Sequence, residues 1–245
     1  MIAWRLEVHD ELPSTSDTCI AAARAGAPAG LAVLARRQSQ GRGSRGRSWV
    51  SPPGNLYLSY LLRPETPAAE AGIWPLLAGL ALHDALAPLL PAPERLQLKW
   101  PNDVMLDGAK LAGILLDMDA EPGGGVRWLV VGSGVNLAHA PEVAGRRTAC
   151  LASAGVRPPA PEEAARAVLA ATAARCAEYA HAGAAATHAA WLARAHPVGT
   201  ALSVRFAGQE VRGEFAGLSG TGHLRLRTAG GVRALAAGEV LLAES

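Results

Sequence analysis

Asp107-Gly108 separates two short β-patterned runs, residues 104–106 and 110–118. A two-residue Asp-Gly connection folds a chain back on itself, whereas parallel neighbours need a crossover of a dozen or more residues. The spacing therefore predicts an antiparallel hairpin and argues against an all-parallel, doubly wound sheet. Around it the pattern predicts strands at 3–8, 31–35, 55–62, 96–99 and 126–131, with a turn at 123–125. Helical periodicity covers 68–90, with Pro75 delaying its start, and an alanine-rich helix runs over 161–195. Ser14-Thr15-Ser16-Asp17 reads as an N-cap ahead of a helix at 18–25, because short oxygen-bearing side chains satisfy orphan amides there. After His196-Pro197 short β-like runs alternate with glycines, which suggests a small five-stranded barrel. Strands and helices mix without βαβ regularity, so the main unit is α+β with a mixed or antiparallel sheet and flanking helices.

Half of the 245 residues are hydrophobic and 18% are charged, with a formal net charge of +2. That balance excludes disorder, and a chain this long buries enough surface to fold without staples. The richest apolar stretch, residues 73–90, is broken by His83, Asp84 and two prolines, so no membrane span is expected. Glu7, Asp10 and Glu11 interrupt any signal-peptide core. Cys19, Cys150 and Cys176 show no CxxC spacing and read as reduced thiols of a cytoplasmic protein. The near-neutral charge gives no nucleic-acid or membrane footprint. Arginine outnumbers lysine 21 to two, so Lys99 and Lys110 stand out, both inside one twelve-residue stretch. A compact ammonium is not interchangeable with a guanidinium where geometry matters.

Three segments carry candidate chemistry. The first is Gln38-Ser39-Gln40-Gly41-Arg42-Gly43-Ser44-Arg45-Gly46-Arg47-Ser48-Trp49. It contains GxGxxG, but Val50-Ser51-Pro52-Pro53 cannot continue the helix that a dinucleotide fold requires, and no GK[ST] closes a Walker loop. Its arginines repel one another until an anion with several acceptor oxygens gathers them; a solvated basic loop or an RNA-binding segment is the plainer alternative. The second segment is Lys99-Trp100-Pro101-Asn102-Asp103 with Lys110-Leu111-Ala112-Gly113. The hairpin brings the ammonium of Lys110 near an amide and a carboxylate, either as a ligand site or as a structural ion pair. The third, Gly132-Ser133-Gly134-Val135-Asn136, ends a strand in glycines that admit close approach of a ligand. His181, His188 and His196 lack companion ligands for a metal, and no GxSxG elbow is present.

Taken in order, Ser14-Thr15-Ser16, Gln38 with the GRGxxGRxW loop, KWPND, KLAGIL and Gly132–Asn136 resemble the biotin protein ligases. The resemblance covers most of residues 10–140, and the C-terminus is similar to the family's small SH3-like β-barrel. It implies a class II synthetase-like catalytic domain over 1–197 and an SH3-like domain over 198–245. It also implies activation of biotin by ATP to biotinyl-5′-AMP, followed by transfer to a lysine of a biotin carboxyl carrier protein domain of acetyl-CoA carboxylase or a related carboxylase. By the same resemblance Lys110, Arg42, Asp103 and Asn102 are catalytic. Ser14, Thr15, Ser16, Gln38, Gly41, Arg42, Gly43, Ser44, Lys110, Gly113, Gly132 and Gly134 line the biotin site. Arg42, Arg45, Arg47, Trp49, Asn102, Lys110 and Asn136 hold ATP and the adenylate, and Asp103 holds Mg²⁺. Ser16 stands where the family usually has Asn, and Ser44 where many members have Arg, which removes one cation from the intermediate. The pocket serine-threonine pair arrives by residue 15, so a ligase without a repressor's DNA-binding domain is expected. A sheet-mediated homodimer is compatible with the resemblance, and a lipoate or octanoate protein ligase is the alternative.

Overall fold

The computed structural model describes residues 2–206 and 208–242. Seven strands form the main sheet: β1 (Arg5–Leu12), β2 (Leu31–Gln38), β3 (Leu56–Leu62), β4 (Leu96–Lys99), β5 (Asp103–Leu106), β6 (Ala109–Ala120) and β7 (Val126–Val135). Their order is β1-β2-β3-β7-β6-β5-β4. Only β1 and β2 run parallel, and α1 (Thr15–Arg24) makes the crossover between them. Every other pairing in this sheet is antiparallel, including the expected hairpin at Asp107-Gly108, where both residues have positive φ. The cap of α1 is Ser14, the first residue of the capping segment, so Thr15, Ser16 and Asp17 are its first turn and the helix starts earlier than expected. Asp17 in the first turn and Arg24 in the last complement the helix dipole.

The face of the sheet opposite α1 is covered by α2 (Ile73–Leu86) and α3 (Pro161–Leu192). All seven residues of β3 are buried, as befits a central strand covered on both faces. Pro75 sits in the first turn of α2, where its missing donor costs nothing; residues 68–70 form a separate 3₁₀ turn. The alanine-rich helix is not continuous, because Gly183 adopts φ 72° and ψ −172° and breaks it. Asn55, fully buried, anchors the chain as it leaves β7. Its Oδ1 accepts from the amides of Leu137, Ala138 and His139 at 2.9–3.0 Å, and its Nδ2 donates to the carbonyl of His139 at 2.8 Å.

Five further strands, β8 (Ala201–Phe206), β9 (Gln209–Leu218), β10 (Leu224–Thr228), β11 (Gly231–Leu235) and β12 (Glu239–Leu242), form an antiparallel sheet in the order β11-β10-β9-β8-β12. Leu202, Val204, Phe215, Leu224, Leu226 and Val240 join the apolar core of the main unit. Trp100 Nε1 donates to the carbonyl of Gly222 at 3.1 Å and Lys99 Nζ to that of Val240 at 3.3 Å, so residues flanking the candidate site clamp the second sheet. Among the described residues no helix is long and apolar enough to cross a membrane.

The packing of α2 on α3 includes a charged tie. Asp84 receives Arg175 at 2.6 Å and Arg194 at 3.5 Å. Burial alone would raise its pKa, but hydrogen bonding from His83 and Arg175 and the charges of Arg175 and Arg194 bring it down to about 2. A depressed carboxylate contributes stability above its unfolded pKa and loses it as pH falls through the folded value. Asp84→Asn should therefore cost about 2 kcal/mol at pH 7, and urea unfolding should show that difference vanishing between about pH 4 and pH 2.

Candidate active site

The position of Lys110 depends on a bulge. Asp103 pairs with Gly113 and Val104 with Ala112, but Met105 then pairs with Lys110, leaving Leu111 as the extra residue. Residues directly opposite one another share a face of the sheet. Had the register of Asp103–Gly113 and Val104–Ala112 continued unbroken toward the turn, Leu111 would face Met105 and Lys110 would point into the helical layer. The bulge instead sets Lys110 on the face of Asp103 and sends Leu111, fully buried, into the core. Lys110 Nζ contacts Asp103 Oδ1, and Lys99 Nζ approaches Oδ2 at 3.5 Å. Side-chain exposure is only 19% for Lys110 and 15% for Asp103, so removing Asp103 strands a largely desolvated ammonium, whereas Asp103 without Lys110 would keep Lys99. The backbone of Lys110 is held too, donating to Arg147 at 2.8 Å and accepting from Ala149 at 3.0 Å.

Lys110 lies where two hollows meet. A cavity of about 150 Å³ runs from it toward Thr15, Ser16 and Gln38. A wider cleft of about 1010 Å³ opens on its other side, between the two sheets. Ser44, Arg47, Asn102, Lys110 and Arg146 line both. The far end of the cavity is neutral and polar. Thr15 donates from its amide (2.8 Å) and its hydroxyl (3.1 Å) to Gln38 Oε1, and Ser59 Oγ lies 2.8 Å from Thr15 Oγ1 and 3.1 Å from Ser16 Oγ. Gln38 Nε2 donates to Ser51 Oγ, which donates to the carbonyl of Trp49, so this end is tied to the loop.

The cavity floor is glycine because side chains already cover it. Gly113 and Gly134 are directly opposite across β6 and β7, and the Trp49 indole lies on them. A Cβ at Gly134 would come within 2.5 Å of that ring, and one at Gly132 within 2.5 Å of Ser16 Oγ. Lys110 Nζ sits 5.5 Å from the centre of the indole, a cation–π contact. The loop itself folds back as a tight hairpin: Trp49 donates to Gly41 at 2.8 Å and Gly43 to Arg47 at 2.7 Å, around Arg45 at φ 59°. Its arginines are compensated by carboxylates. Arg42 pairs with Asp17 at 2.8 Å and Asp117 at 3.0 Å, while Arg45 and Arg47 reach Glu239 on β12.

Most of the residues singled out from the sequence thus surround one cavity: Thr15, Ser16, Gln38, Arg42, Gly43, Ser44, Arg47, Trp49, Asn102, Lys110, Gly113, Gly132, Gly134 and Asn136. Four do not line it. Ser14 accepts from the Asp17 amide as the α1 cap, Gly41 is packed against Trp49 and Ser51, and Arg45 faces the cleft. Asp103 also lies on the cleft side. Its two oxygens are engaged by lysines, and among the described residues no three His, Cys, Asp or Glu side chains cluster. Asn102 Nδ2 donates to the carbonyl of Ile114 at 2.5 Å, and Asn136 Nδ2 to that of Ala149 at 3.0 Å, leaving Asn136 Oδ1 buried without a partner. Sequence reasoning missed Ser59, Asp117, Arg146 and Glu239. Ser59 had a signal, as the single hydroxylic serine in an otherwise apolar LYLSYLL strand; the others had none.

The comparisons with known proteins agree in both halves of the chain. Residues 13–136 match the model of the biotin/lipoate A/B protein ligase family, and residues 203–242 match the biotin protein ligase C-terminal domain. The biotin–[acetyl-CoA-carboxylase] ligase of Paracoccus denitrificans is 40% identical over 219 residues, covering 85% of this chain and 88% of that protein. The protein of the same name from Mycobacterium tuberculosis is 34% identical, covering 97% and 89%. The structure of the Aquifex aeolicus biotin protein ligase in complex with biotin and ATP superimposes with a TM-score of 0.82, at 27% identity, over 98% of this chain and 99% of that one. With the cavity, the arginine loop and the second sheet in these places, the chain belongs to the biotin/lipoate A/B protein ligase family.

Proposed function

We infer that this chain is an ATP-dependent biotin–protein ligase, and that the observation carrying this reading is the place of Lys110 at the meeting of a neutral, hydroxyl-lined cavity and an arginine-lined cleft. The cavity suits a ligand whose buried end both donates and accepts hydrogen bonds. Thr15, Ser16, Ser59 and Gln38 would complement the ureido ring of biotin, whereas the dithiolane of lipoate or the alkyl tail of octanoate would offer them no hydrogen-bonding partner. A polar site rejects an analogue lacking its partners far more strongly than an apolar pocket rejects a missing methylene. The division into a catalytic unit to residue 197 and a second unit from 198 follows the change from α3 to the second sheet.

In the first step a biotin carboxylate oxygen attacks the α-phosphorus of ATP. The bond from that phosphorus to the bridging oxygen breaks, and pyrophosphate leaves. Two anions must approach each other, and a fixed ammonium offsets their repulsion at no reorganisation cost. Lys110 supplies it, and Asp103 holds Lys110 in line while the site is empty. Arg42, Arg45 and Arg47 neutralise the phosphates, and Trp49, Asn102 and Asn136 flank the nucleotide. Mg²⁺ enters with ATP as part of that substrate. In the second step the neutral amine of a carrier lysine attacks the acyl carbon of biotinyl-5′-AMP, AMP departs, and the amine loses a proton. The acceptor is a biotin carboxyl carrier protein domain of acetyl-CoA carboxylase or a related carboxylase. A cytoplasmic setting fits the three free cysteines.

Pyrophosphate release from Mg-ATP should occur with biotin alone, without any carrier. Release only with lipoate or octanoate would move the chain to the sister activity. Lys110→Arg keeps the charge but replaces a point donor with a planar fork, and should slow biotin-dependent pyrophosphate release about 10²–10³-fold. Near-normal turnover in that variant would remove Lys110 from the chemical step.

A further inference from the structure

Glu239, at the start of β12, receives three guanidinium groups. Arg47 Nη1 lies 3.0 Å from Oε1, Arg45 Nη1 lies 3.2 Å from Oε2, and Arg146 also contacts Oε1. Arg45 and Arg47 belong to the glycine-rich loop, and Arg146 to the segment that pairs with the backbone of Lys110. Three cations on one carboxylate leave a surplus of two positive charges. Among the described residues none of the three has a second carboxylate within 4.0 Å. Ser44 steadies Arg47 from behind, accepting at 2.9 Å through its hydroxyl and 3.2 Å through its carbonyl. An ion pair built only for stability needs one cation per carboxylate, since each added like charge costs repulsion. Arg47 and Arg146 also line the cavity that Lys110 enters.

We propose that Arg45, Arg47 and Arg146 form one subsite for the terminal phosphates of ATP, and that Glu239 masks it in the free chain as a tethered anion. The idea rests on the ligase reading above and adds Arg146 and Glu239 to it. A carboxylate offers two oxygens and one charge, whereas an oligophosphate offers more of both and satisfies more of the fifteen N–H donors that three guanidinium groups carry. Arrival of the nucleotide therefore displaces Glu239, and its return competes with the product pyrophosphate. By this exchange the second sheet sets how easily the phosphate subsite opens.

Titration calorimetry of the full chain with Mg-ATP, magnesium pyrophosphate and biotin, each alone, tests this. Glu239→Gln should bind both phosphate ligands about tenfold more tightly and Arg146→Ala about tenfold more weakly. Biotin affinity of Glu239→Gln should stay within about twofold, which also reports an intact fold. Glu239→Asp, which keeps the charge, should stay close to the parent. A strut that merely holds the loop would give weaker phosphate binding in both variants. That result, or unchanged affinity in Glu239→Gln while the parent turns over biotin and ATP, overturns the proposal alone. A parent chain that binds neither phosphate ligand and releases no pyrophosphate with biotin would overturn the ligase reading as well.

Discussion

The β-bulge at Leu111 is the constraint on which the site depends. One extra residue between two pairs of the β5–β6 hairpin decides whether Lys110 faces the ligand cavity or the helical core. With the bulge, Lys110 meets Asp103, lies against the Trp49 ring and joins the two hollows. Were the Asp103–Gly113 register continued without it, an apolar leucine would occupy that place and an ammonium would enter the core, at a large desolvation cost. The tight Asp-Gly turn and the bulge therefore act as one device: the turn sets Lys110 opposite Met105, and the bulge lets Gly113 lie opposite Asp103 on the same face.

Around this point the molecule compensates charge locally. Arginines on a glycine-rich loop would hold it open through mutual repulsion, yet Asp17, Asp117 and Glu239 take them up and the loop folds onto the cavity. In each of these pairs one side chain is 36–57% exposed, so each contributes little to stability. Their value lies in keeping cations positioned for a larger anion. Trp49 plays a related part on the apolar side, covering the paired glycines that no side chain could share with it.

Local features were readable from the chain itself. The hairpin, the glycine-punctuated second unit, the arginine loop and the two lysines left by an arginine-rich composition all point to their places from residue pattern alone. Features that depend on pairing between distant segments were not readable. Glu239 joins Arg45 across 194 positions, and Arg146 looks like any surface arginine until its segment aligns beside Lys110. The bulge is invisible too, because KLAGIL alternates acceptably in either register. The break at Gly183 hides among alanines, which favour helix. Ser14 belongs to a motif similar to the family's biotin pocket, but its hydroxyl caps α1.

The most direct test is a crystal structure of this chain with biotin and ATP, or with the biotinyl-adenylate they form. The account predicts the ureido ring among Thr15, Ser16, Ser59 and Gln38, with Lys110 Nζ released from Asp103 and bonded to the oxygens joining the acyl group to the phosphate. A ligand bound elsewhere, with Lys110 still on Asp103, would contradict it.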